Sequence, residues 1–267
     1  MAAAKKQKKP VVPRLSEIRF TKAQLMKLPA EERELLLRVG LVANDVLLFQ
    51  RIWAAFMYRD PKTQLAKEAQ AIQGLTVLLI IAGKAFEAID GVFNKRFLSS
   101  PLSREYLARF SKEHKRAYEY LKKLQGANGL LADIRNTHAF HFLNKIELSP
   151  YIEAMPDDRM HSIYLGAPDG NTMNAFAAHA SFMALLKITG ETTPEAALKE
   201  IEGELGDAIE ALFQWTAGVQ IVALKKMLGL KPPMRPRRIE EHEYLPQDKI
   251  SFPFFMTVAT NFRPKRK

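Results

Sequence analysis

The chain has 267 residues, 47% hydrophobic and 26% charged, an ordinary globular balance that excludes bulk disorder and leaves ample length for a buried core. It contains no cysteine, which removes disulfides, thiolate catalysis and cysteine-ligated zinc or iron–sulfur sites together. The formal net charge is +11, but nine of those charges lie in two tails, on Lys5, Lys6, Lys8, Lys9 and Arg14 and on Arg263, Lys265, Arg266 and Lys267, leaving +2 for the body between them. Basic tails of this kind attract phosphates in a non-specific, salt-dependent way.

The lysine-rich start runs into proline rather than an apolar segment, so no signal peptide is expected. The most apolar run, LTVLLIIAG at 75–83, is far shorter than the ~20 residues of a membrane span. The chain therefore reads as soluble and cytoplasmic, with no membrane partner.

Residues 1–20 read as a basic flexible arm, with Pro10 and Pro13 discouraging a helix. A long helix is expected from near Pro29 to about Tyr58. The acids of AEERE suit its positive end, and Leu35, Val39, Val42, Val46, Phe49, Trp53 and Phe56 form its core stripe. After the break at DPKT, a second helix is expected from Gln64 to Leu98, apolar nearly all round between Leu75 and Ala82 and so central to a bundle. The stretch from Ser99 to Gln125 reads as a third helix, with Ser99 or Ser100 as cap and Pro101 in its first turn.

GANG at 126–129 turns the chain into LLADIRNTHAFHF, and after Phe142 turn residues dominate. HSIYLG reads as a short strand within an insertion at about 146–173. Two further helices are expected at about 174–188 and 194–229, the second with a stripe of Ile201, Leu205, Ile209, Leu212, Phe213, Val219, Val222 and Leu224. Residues 231–267 form a proline-rich, basic tail, whose apolar piece ISFPFFMTVA is expected to dock on the body or a partner. The fold class is an all-α antiparallel helical bundle over 21–230, with a small irregular or short β insertion after the motif helix. No P-loop, GxGxxG or GxSxG motif occurs.

Chemistry concentrates in DIRNTHAFHF. Were it α-helical throughout, Arg135 and His141 would point ~120° apart and Arg135 and His138 ~60° apart. One reading is structural: Arg135 salt-bridges at a surface, and the histidines suit the negative end of a helix. Another is a metal site from His138, His141 and Asp133, but HxxH has no HExxH or cysteine support here. A carboxylate di-metal bundle needs Glu-x-x-His pairs. The residues three before the six histidines are Ser111, Arg135, His138, Asp158, Phe176 and Ile239, so that reading falls, and neither metal nor cofactor is expected.

Arg135 followed by Asn136, and by His141 after five intervening residues, resembles the signature of the HEPN superfamily (higher eukaryotes and prokaryotes nucleotide-binding domain). IRNTHAFHF as a whole is similar to the RN…AFH form of bacterial members. The resemblance covers about residues 30–145, with the later helices if they complete the bundle. It implies a metal-independent endoribonuclease acting as a homodimer on an RNA substrate, of the kind that serves as a toxin or defence effector with an antitoxin or regulatory protein as partner. Arg135 would steady phosphate charge, His141 would move the proton, and Asn136 would orient the imidazole or hold the RNA backbone. His138 is either an auxiliary group or packing beside Phe142, the latter favoured. Glu87 and Asp90, one turn apart, either face the cleft or lie on a solvated helix face. His161 and His179 are set aside as ordinary surface or core residues. Against the ribonuclease stands a catalytically inactive helical module that binds RNA, a nucleotide or a protein.

Overall fold

The computed structural model describes residues 15–57, 60–126, 129–139, 149–153, 155, 157–158, 162–165, 173–229 and 237–239. Within these residues the protein is an all-α bundle carrying two small two-stranded antiparallel sheets. Strand β1 (Leu15–Glu17) precedes a one-turn helix α1 (Lys22–Leu25), which Thr21 and Gln24 close with a reciprocal capping box. The expected arm is therefore engaged at its inner end, where β1 pairs with β4 (Arg237–Ile239) of the C-terminal tail.

Helix α2 (Ala30–Met57) starts where the proline signal placed it, and Leu35, Val39, Val46 and Phe56 are buried along it. Helix α3 (Gln64–Val92) is capped by Thr63 and buries Leu75, Leu78, Leu79, Ile81, Ala82 and Ile89. The apolar stretch through α3 is long and apolar enough, by length and composition, to cross a membrane, and half of that window is buried within the bundle.

Two expected helices are each divided. The second stops at Val92 rather than Leu98, because Asn94 accepts the Phe97 N–H and begins a separate short helix, α4 (Lys95–Ser99). The third is two helices, α5 (Pro101–Arg109) and α6 (Lys112–Gly126). Phe110 between them is extended and buried, and the Ser111 hydroxyl accepts the His114 N–H at 3.3 Å to start α6 afresh. The cap of α5 is Ser100, accepting from Ser103 at 3.1 Å, with Pro101 at the first position.

The chain then enters α7 (Leu130–Ile134), which passes directly into a π-helical turn, Arg135–Ala139. Gly129 offers α7 no side-chain cap, and the Glu204 carboxylate, from a later helix, stands beside it, with Oε1 3.7 Å from where a Gly129 Cβ would lie. Burial first, with neighbouring Glu200 adding to it, pushes the Glu204 carboxyl up, against the opposing influence of the Leu131 backbone. In the insertion, α8 (Ser149–Glu153) precedes a β2–β3 hairpin (Ile163–Tyr164 with Met173–Asn174), and the Tyr164 hydroxyl ties it to Glu68 on α3 at 2.7 Å.

Helix α9 (Ala175–Thr189) ends on Gly190 and α10 (Pro194–Leu228) on Gly229, both in the left-handed conformation that glycine tolerates best. Helix α10 is the hub, packed against α2, α3, α6, α7 and α9. Trp215 at its middle is fully buried, and Phe93, the C-cap of α3, meets it edge-on at 5.0 Å and Tyr118 at a tilt at 5.1 Å, so the end of α3, α6 and α10 share one aromatic cluster. At Gly218 the α6–α10 approach is so close that an added Cβ would lie 2.9 Å from His114 Cγ.

Glu32 is a first-turn acid of α2, as expected, and it is also buried in an ion cluster joining α2, α5 and α10. Lys226 pairs with Glu32 and, at 3.1 Å, with Glu105, while the Tyr106 hydroxyl donates to Glu32 at 3.2 Å. Burial first, then the Glu32 charge, pushes the Tyr106 phenol well above its usual 10.

Candidate functional site

Arg135 begins the π-helical turn, so the α-helical angles between Arg135, His138 and later residues no longer apply. The widened turn is accompanied by a local bond, the Thr137 hydroxyl donating to the Asp133 carbonyl four residues back. Helix α3 packs closely against this turn and against α7.

The Arg135 side chain is 38% exposed, and Nη1 donates to Asn136 Oδ1 at 2.8 Å. Asn136 therefore holds the guanidinium. Across the gap, Nη2 lies 3.8 Å from Glu87 Oε1, while Lys84 Nζ lies 2.9 Å from Glu87 Oε2. Two cations thus share one carboxylate, and Glu87 belongs to the motif's surroundings rather than to a solvated face; Asp90 is exposed. Nε of Arg135 is buried without a partner among the described residues. One Nη is held by an amide and the other is only loosely paired, which leaves the guanidinium able to exchange Glu87 for a phosphate oxygen.

His138 is directed inward. The Thr137 hydroxyl hydrogen goes to Asp133, so Nδ1 of the ring is the donor in the 2.8 Å contact with Thr137 Oγ1. Nε2 is buried without a well-formed hydrogen bond among the described residues. Burial holds the imidazole below its usual 6.5, and the Ser181 backbone on α9 opposes that only in part. A histidine kept neutral in this way is a poor cation for phosphate.

His141 and Phe142 lie outside the described residues, as do His161, Pro10, Pro13 and the ISFPFFMTVA segment. The expected Arg135–His141 relation therefore has no measured distance. Asp133 is exposed on α7, and among the described residues no group of three or more metal-binding side chains converges. A cavity of about 380 Å³ lined by Glu68, Ile72, His179, Phe182 and Met183, and an open groove lined by Trp53, Leu78, Leu205 and Phe213, contain none of the motif residues.

Reasoning from the sequence missed Lys84, whose only signal was its position one helical turn before Glu87. Comparison of the chain with protein-family models, with curated proteins and with solved structures gives no match.

Proposed function

We propose that this protein is a metal-independent endoribonuclease of the HEPN type, working as a homodimer, with Arg135, Asn136 and His141 in its active site. The observation that carries the reading is Arg135 itself, a partly exposed guanidinium on a π-helical turn, held by Asn136 and loosely countered by Glu87. π-Turns recur at functional sites, and a planar, permanently charged group suits the crowded charge of a phosphorane.

In the reaction, the 2′-oxygen bonds to phosphorus as the bond to the 5′-oxygen breaks. His141 takes the 2′-hydroxyl proton or returns one to the leaving oxygen. The products are a 2′,3′-cyclic phosphate and a 5′-hydroxyl, with no water consumed. Pairing of two motifs across a two-fold axis would let one subunit's Arg135 serve the other's His141. A role as toxin or defence effector, checked by a partner protein, fits the same chemistry.

A second reading is a catalytically inactive helical module. It is favoured by one fact: Arg135 already has an amide and a carboxylate partner within the chain, as a structural arginine would. The two readings separate on incubation with structured and unstructured RNA in excess EDTA. Cleavage to 2′,3′-cyclic ends by wild type, lost in folded Arg135→Ala and His141→Ala variants, supports the enzyme. Cleavage unchanged in both variants removes it, and RNA binding without cleavage leaves the silent module.

A further inference from the structure

The body's charge of +2 conceals a strong asymmetry. Residues 95–123 carry nine cations and three acids, a surplus of six, so the rest of the body is net negative by four. The centre of this surplus is α6. At about 100° per residue, Lys112, Lys115, Arg116, Lys122 and Lys123 fall within an arc of about 120°, interrupted only by Glu119. All five are exposed, and none makes an ion pair among the described residues.

The opposite arc of α6 is Ala117, Tyr118 and Leu121, all buried. Close packing on α10 at Gly218 holds that side in place. The cations are therefore presented on a rigid rod about 16 Å long, one helical turn apart.

From this geometry we infer that the solvent face of α6 is a docking surface for the phosphate backbone of RNA. A solvated charged helix normally interleaves acids with its bases; this face leaves five cations against one acid, at the cost of mutual repulsion. An anionic membrane fits less well, because a membrane-lying helix buries an apolar face in lipid. The apolar face of α6 is spent on α10, and among the described residues α4, α5 and α6 expose no large hydrophobic side chain. The choice of RNA over other polyanions rests on the ribonuclease reading; the surface itself does not.

The test uses the full chain and a fluorescent 2′-O-methyl RNA, which lacks the nucleophile and so reports binding alone. Anisotropy titrations across salt concentrations compare wild type with a variant carrying Lys112→Gln, Lys115→Gln, Arg116→Gln, Lys122→Gln and Lys123→Gln. A control variant neutralises Lys5, Lys6, Lys8, Lys9 and Arg14. The α6 variant is expected to lower the salt slope by about 3.5 if all five cations engage single-stranded RNA. The milder Lys115→Gln/Lys122→Gln pair, should the fivefold variant fold poorly, is expected to lower it by about 1.4. An unchanged slope overturns the surface, as does loss of binding to phosphatidylserine vesicles with RNA affinity retained. A lowered slope without cleavage of ordinary RNA by wild type keeps the surface and fails the ribonuclease. Cleavage with an unchanged slope does the reverse.

Discussion

Arg135 and Glu87 face each other across the gap between the π-helical turn and α3, Nη2 to Oε1 at 3.8 Å, with Lys84 competing for the same carboxylate. This is a loose, partly exposed pair, and its worth to stability is small. Under the proposed ribonuclease reading, Glu87 occupies the guanidinium edge that a phosphate would take.

Glu87→Gln is therefore expected to change unfolding free energy by less than about 1 kcal/mol. It should raise affinity for an uncleavable RNA by up to about fivefold, the energy of one such pair returned to binding. Urea denaturation and anisotropy check the two halves. Weaker RNA binding in this variant would show that Glu87 positions Arg135 rather than competing for it.

His138 supplies a pH dependence whose sign follows from its burial. Its folded-state proton affinity is depressed below the usual 6.5, so the unfolded chain binds more protons in that range. Its contribution to stability is complete above 6.5 and lost as pH falls through the folded value. Unfolding free energy measured between about pH 7.5 and pH 5 should decline more steeply for wild type than for His138→Gln. Parallel curves would mean that the ring titrates as freely folded as unfolded.

Lys226 holds Glu32 in the interior. Lys226→Met leaves that carboxylate buried without its cation and is expected to cost about 3–5 kcal/mol in urea unfolding. Adding Glu32→Leu should recover much of the loss, because the isolated charge rather than the missing attraction dominates the cost. An additive double variant would locate the penalty in packing instead.

Gly218 is where α6 and α10 come closest, with an added Cβ 2.9 Å from the His114 ring. Gly218→Ala is expected to destabilise by about 1–3 kcal/mol through overpacking. Combining it with His114→Ala should return part of that energy, giving a non-additive cycle. Full additivity would show that the backbone, not the histidine, resists the methyl group.

Much of the bundle was legible because its signals are local. Pro29 and the stripe from Leu35 to Phe56 marked α2, the break at DPKT and the all-round apolar middle marked α3, and the stripe from Ile201 to Leu224 marked α10. The division at Phe110 escaped because hydrophobic spacing continues through it. Ser111 followed by Glu113 was the available sign of a new helix start. At the candidate site, Arg135 and Asn136 were legible as a motif, whereas their mutual bond, the π-turn and the loose pairing with Glu87 were not. Nothing in a single-sequence pattern distinguishes a π-turn from an α-turn, because the i→i+5 bond depends on what packs against it.

The sequence by itself determined the all-α class, the core faces of the long helices, and the residue types at the motif, since all of these follow from 3.6-residue periodicity, capping chemistry and composition. Only the tertiary structure decided which charges meet. Glu32 finds Lys226 across 194 residues and Glu68 finds Tyr164 across 96, and Arg135 finds Glu87 on a different helix. Such pairs are set by how helices pack in three dimensions, and helical period carries no record of a neighbour so distant along the chain.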